Sequence, residues 1–106
     1  MANFVLLYSG GGMAGTPEAQ AAEMKEWMAW FGSLGAASVD GGNPFIGTAK
    51  RVAAGGVVSE GPVGAPATGY SILKADSFDA AVELAKGCPV LKGDGQVTIY
   101  ETVNAM

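Results

Sequence analysis

Histidine is absent from this chain, cysteine occurs once, and six lysines and arginines stand against ten acidic residues. Each shortage removes a class of function. Without imidazole there is no histidine-based triad, no Cys-His dyad and no histidine-dependent zinc site, and the side chain best suited to proton transfer at neutral pH is missing. A lone cysteine, Cys88, cannot close an internal disulfide, and no basic, apolar leader opens the sequence, so a reducing cytoplasm is the expected setting. The net charge of −4, with basic residues scattered apart from Lys50-Arg51, argues against a surface that tracks phosphates, and so against nucleic acid. No apolar run approaches the roughly 18 residues of a membrane span, so no membrane partner is expected. Nothing in the sequence calls for a metal or a cofactor.

What the chain does hold is glycine, seventeen of 106 residues, and apolar side chains, 49% of the total, enough for a single domain over residues 1–106. Asn3-Phe4-Val5-Leu6-Leu7-Tyr8 is a continuous apolar run and predicts a central strand covered on both faces. Thr16 as N-cap, Pro17 and Glu18 behind it, and Gly35 after Leu34 bound a helix. Its apolar stripe reads as Met24, Trp27, Met28, Phe31 and Leu34, with Trp30 flanking. Ala36-Ala37-Ser38-Val39 predicts a second, buried strand, and residues 47–52 and 57–58, broken by Gly55-Gly56, predict a hairpin. Residues 68–75 predict another central strand. Asp76 or Ser77 then caps a second helix with Phe78, Ala81, Val82 and Ala85 inward and Gly87 at its end. Residues 96–103 alternate at period two, the pattern of a strand with one wet face.

This order predicts an α+β fold of ferredoxin-like type, βαββαβ, with a four-stranded antiparallel sheet and both helices on one face. The other face is left bare, with Ile72 and Tyr100 in water. Two-fold pairing through that face into a homodimeric α/β barrel is the expected remedy. The residues that carry this pattern also resemble a known family, the YCII-related proteins, in the branch named for an Asp-Gly-Pro-Phe motif. The resemblance runs nearly end to end, through Phe4-Val5-Leu6-Leu7-Tyr8, Trp27-Met28-Ala29-Trp30-Phe31, Val39-Asp40-Gly41-Gly42-Asn43-Pro44, Gly69-Tyr70, Ala75-Asp76-Ser77-Phe78 and Gly87-Cys88-Pro89. It implies a largely bacterial family of dimeric α/β barrels with a cleft between sheet and helices, most of them without an assigned activity. Two departures stand out. Glu60-Gly61-Pro62-Val63 occupies the place of the naming motif, and the His-Asp pair suspected of catalysis in some relatives has no histidine to match it, which leaves Asp40 as the surviving carboxylate.

The candidate site centres on Asp40-Gly41-Gly42-Asn43-Pro44, a turn-forming run at a strand exit. Asp40 has two readings, a turn cap that bonds amides two residues on, or a general base; Asn43 shares the ambiguity. Glu60, in the second loop beside Pro62, is a surface carboxylate or the acid-base partner of Asp40. Tyr8, Trp30 and Tyr70 are the expected ligand contacts beside Gly41, Gly42 and Asn43, against their ordinary uses in packing. Gly10-Gly11-Gly12-Met13-Ala14-Gly15 imitates a dinucleotide fingerprint, but the helix starts only after the last glycine, and a flexible turn is its ordinary reading. Cys88, at a helix C-terminus, reads as a packed apolar residue. Two functions remain: a dimeric module binding a small molecule or a partner, or a lyase- or isomerase-like enzyme working through Asp40 and Glu60.

Overall fold

In the computed structural model, which describes residues 2–10 and 15–104, the apolar run at the start becomes β1 (Ala2–Ser9) at the centre of a sheet. Phe4, Leu6 and Tyr8 point to one face and are buried, whereas Val5 and Leu7 point to the other and are half-buried. The expectation of cover on both faces is therefore corrected, because helices pack on one side only. β1 pairs antiparallel with β5 (Gly69–Ala75), setting Tyr8 opposite Gly69, and with β6 (Gln96–Glu101), setting Val5 opposite Tyr100. β2 (Ser38–Asp40) lies outside β5, and the sheet order is β2-β5-β1-β6. β3 (Lys50–Val52) and β4 (Val58–Glu60) form a separate two-stranded sheet, closed by Gly55 and Gly56 at positive φ, as the glycine pair predicts.

The first helix, α1 (Pro17–Leu34), starts and stops where its end residues dictate. Thr16 Oγ1 accepts a hydrogen bond from Ala19 N at 3.1 Å, and Gly35 leaves the helix at φ +54°. Its inward stripe differs from expectation. Trp27, Trp30, Phe31 and Leu34 face the sheet, while Met24 and Met28 are exposed. The indole decides the rotation. Trp30 Nε1 donates to Leu84 O at 3.1 Å, so its one polar atom is satisfied and the ring is buried among Trp27 and Phe31. Gly87 makes this possible, since a Cβ there would sit 3.2 Å from the Trp30 ring.

The short α2 (Phe78–Ala85) is capped by Ser77, whose Oγ accepts from Ala80 N at 3.1 Å. Ala81 and Ala85 are its buried positions, small enough to bring the helix close to the sheet. Phe78 is partly exposed yet meets the Phe4 ring edge-on at 5.4 Å. Both helices contribute to one core with Phe4, Leu6, Tyr8 and Leu73, which Cys88 and Val90 complete. The predicted buried strand at 36–39 is a second correction. Ala36 and Ala37 continue turning in a 3₁₀ turn after Gly35, and β2 is a short outer strand with Val39 exposed. Residues 11–14 of the glycine-rich segment lie outside the described residues. Among the described residues no helix is long and apolar enough to cross a membrane.

Candidate functional site

The loop after β2 is stitched to β5 by its backbone. Asn43 O accepts from Tyr70 N at 3.3 Å, Pro44 bridges to Gly69, and Phe45 N donates to Thr68 O at 2.8 Å. Such close contact with a strand leaves no room for a side chain at Gly42. Gly42 has φ +72°, and a Cβ there would collide with the carbonyl of Tyr70. Asp40 Oδ1 accepts from Gly42 N at 2.8 Å, the capping reading of that carboxylate. Asp40 and Asn43 are both exposed at the surface of the loop.

Beneath the loop runs a chain of hydroxyls. Tyr8 OH donates to Ser71 Oγ at 2.7 Å, and Ser71 Oγ donates to the carbonyl of Gly41 at 2.7 Å. Ser71 is wholly buried, so the relay satisfies a polar group that would otherwise be orphaned in the core. The Cys88 thiol lies within hydrogen-bonding reach of the same phenol, and burial pushes it up to about 11, opposed by the Val90 amide and by Tyr8. Burial likewise raises the Tyr8 phenol well above its ordinary value, against the pull of the Ser71 bond. Both groups therefore keep their protons at neutral pH. The thiol is buried, as the packed reading expects, and burial is the leading cause of its raised pKa where the sequence pointed to the helix C-terminus.

The structure separates residues that the sequence grouped. Tyr8 faces the helices, and Tyr70, opposite Leu7, faces the uncovered side, where Phe45 stacks on its ring at 6.0 Å. Trp30, expected at a cleft edge, is 7% exposed and lies in the core, its indole N–H spent on Leu84. The space between sheet and helices, where a cleft was expected, is filled by the core cluster. Glu60 is exposed and its Oε1 stands 3.7 Å from Lys50 Nζ, across the hairpin. The carbonyl of Pro62 accepts from Arg51 Nη1 at 3.3 Å.

Glu60 and Pro62 do share a groove, of about 630 Å³, whose walls include Phe45, Thr48, Pro66 and Thr68. It lies between the β3–β4 hairpin and the chain leading into β5, and Asp40, Gly41, Gly42 and Asn43 are not among its walls. Phe45 connects the two regions, with its ring on Tyr70 and its own side in the groove. Sequence reasoning passed over Phe45 and Ser71. The available signals were an aromatic directly after Pro44 in a turn, and a lone hydroxyl in the middle of an apolar strand. No protein-family model matches the chain, and no curated protein sequence matches it.

Proposed function

We propose that the chain is a homodimeric binding module of ferredoxin-like, YCII-related type that holds a small molecule without transforming it. The observation that carries this reading is the groove beside the hairpin, with apolar walls at Phe45, Pro62 and Pro66 and polar groups at Thr48, Glu60 and Thr68. Apolar walls with a few placed polar atoms suit a compact ligand with a hydrogen-bond donor to offer Glu60. Chemistry by paired carboxylates would need Asp40 and Glu60 at one place. Asp40 instead holds its own turn and Glu60 leans toward Lys50, which favours binding over catalysis.

The strand order β2-β5-β1-β6, with both helices in one core, supports the ferredoxin-like arrangement once the hairpin is set aside as an insertion. The homodimer is supported by the sheet face turned away from the helices. Val5, Leu7, Tyr70, Ile72 and Tyr100 lie on it, with Val5 between Ile72 and Tyr100 in one row. Pairing two such faces about a two-fold axis removes this area from water.

Native mass spectrometry of the purified protein tests both parts. A dimer carrying a co-purifying small molecule is the expected result. Glu60→Gln and Phe45→Ala should then lose that ligand, and Asp40→Asn should keep it. Turnover of the ligand that Asp40→Asn abolishes would overthrow the binding reading in favour of an enzyme.

A further inference from the structure

The groove beside the hairpin is uneven in what it offers a ligand. Among the described residues Glu60 is the one charged group in its walls, and the nearest bases lie outside them. Arg51 spends Nη1 on the carbonyl of Pro62, and Lys50 Nζ reaches Glu60 only at 3.7 Å. A charge-assisted hydrogen bond is shorter, about 2.7–2.9 Å, so Lys50 leaves the acceptor sites of this carboxylate to other donors. Both side chains stand largely in water, Lys50 at 62% exposure and Glu60 at 79%, where such a pair is weak and readily exchanged for another.

Donors are the scarce groups in these walls. Pro62 and Pro66 have no N–H, and the N–H groups of three further wall residues are already spent. Phe45 N donates to Thr68 O at 2.8 Å, Gly61 N to Ala49 O at 2.8 Å and Thr68 N to Tyr8 O at 2.6 Å. The Thr68 hydroxyl also donates elsewhere, to Gly10 O at 3.3 Å. No helix N-terminus compensates, because α1 starts at Pro17 and α2 at Phe78, and neither residue lines the groove. An anion entering here would exchange its water for a carboxylate and few donors, at a net cost. A cation meets the opposite. It finds the carboxylate and the ring of Phe45, which is stacked on Tyr70 at 6.0 Å and still 45% exposed.

We propose that the groove selects an organic cation, a small molecule with a protonated amine beside an apolar body, with Glu60 as its counter-ion and Phe45 as its aromatic wall. This rests on the binding reading proposed above and adds the charge of the ligand. The volume of about 630 Å³ suits such a molecule, since small-molecule sites span about 300–1,000 Å³. Lys50 is then the resident stand-in for the ligand's ammonium, and binding trades one ammonium for another at Glu60. The two members of this pair therefore act in opposite senses. Removing the charge of Glu60 weakens binding, and removing that of Lys50 strengthens it, whereas a merely structural role for the pair would weaken binding in both variants.

The test is an NMR titration of the full chain at neutral pH with three probes that share a phenyl body and differ in charge. These are phenethylamine, which is protonated, phenethyl alcohol, which is neutral, and phenylacetate, which is an anion. The amine is expected to shift the amides of residues 45, 60, 61 and 68 with a dissociation constant on the order of 1 mM, and the other two to bind about fivefold or more weakly. Glu60→Gln should abolish that preference, and Lys50→Gln should tighten the amine about two- to fivefold. Both positions are exposed, and far-UV circular dichroism checks that each variant folds. Phenylacetate or the alcohol shifting the same amides as strongly as the amine overturns the cation and keeps the groove as a binding site. Weaker amine binding in Lys50→Gln, or unchanged binding in Glu60→Gln, overturns it likewise. If none of the three probes moves these amides the cation is overturned, and if the native mass spectrum also shows no co-purifying molecule the binding reading falls with it.

Discussion

In the body of this protein Phe4, Leu6 and Leu73 are withdrawn completely from water, and in the hairpin Val52, Val57 and Val58 stand in it. Both regions are regular, hydrogen-bonded β-structure. They differ in layers. The sheet has α1 and α2 on one side, and among the described residues the hairpin has no helix or second sheet on either. Backbone pairing alone thus gives a defined shape, and burial gives stability. The comparison also separates the candidate residues, because Tyr8 and Trp30 belong to the buried layer, whereas Glu60, Pro62 and Phe45 belong to the hairpin and its base.

Truncation of the core should show the contrast most strongly. Leu6→Ala or Leu73→Ala is expected to lower unfolding stability by about 3 kcal/mol, in line with large-to-small changes at fully buried sites. Val52→Ala, measured by urea unfolding, should change it by less than about 0.5 kcal/mol. An equal loss at both positions would erase the distinction between body and hairpin. Gly42→Ala comes next, at about 2 kcal/mol or more, since it strains a positive φ and drives a Cβ into the Tyr70 carbonyl; chemical denaturation should show it.

Alkaline pH should weaken the body selectively. Burial raises the Cys88 thiol from an ordinary 9 to about 11, so the unfolded chain gives up that proton first. The associated stability is present below about pH 9 and is lost as the pH climbs through 11. Thermal melts of Cys88→Ala should therefore fall less steeply over that window than those of wild type, and identical slopes would contradict the assignment. The smallest effect belongs to Lys50→Gln. Its ion pair with Glu60 is exposed and 3.7 Å long, and its loss should shift protomer stability by no more than about 0.5 kcal/mol by denaturant titration.

Local signals in the sequence were read correctly where the physics is local. Thr16 and Ser77 as caps, Gly35 as a stop, Gly55-Gly56 as a hairpin turn and Asp40 as the cap of its own turn all involve partners within a few residues. The misplacements share a different cause. Trp30 is turned inward by a carbonyl at Leu84 and by room left at Gly87, both more than fifty residues away. Tyr8 and Tyr70 fall on opposite faces because register sets Tyr8 against Gly69, and no residue near either tyrosine announces that register. The turn of 36–37 escaped notice because alanine suits a strand end and a 3₁₀ turn equally. For the candidate site, the loop chemistry of Asp40 and Glu60 is visible in the sequence, while their different partners, Gly42 for Asp40 and Lys50 for Glu60, include one set by a hairpin pairing.

The hydroxyl relay from Tyr8 through Ser71 to Gly41 bears on how the molecule comes apart. It fastens the Asp40 loop to the deepest residues of β1 and β5. The loop cannot lift without leaving the buried Ser71 hydroxyl short of its acceptor, so its opening is coupled to that of the sheet. Amide exchange in residues 41–43 should therefore follow the rate of global unfolding, and in residues 53–57, which have no such tether, it should run ahead of it. A surface loop that looks as free as the hairpin is in this sense part of the core's own cooperative unit.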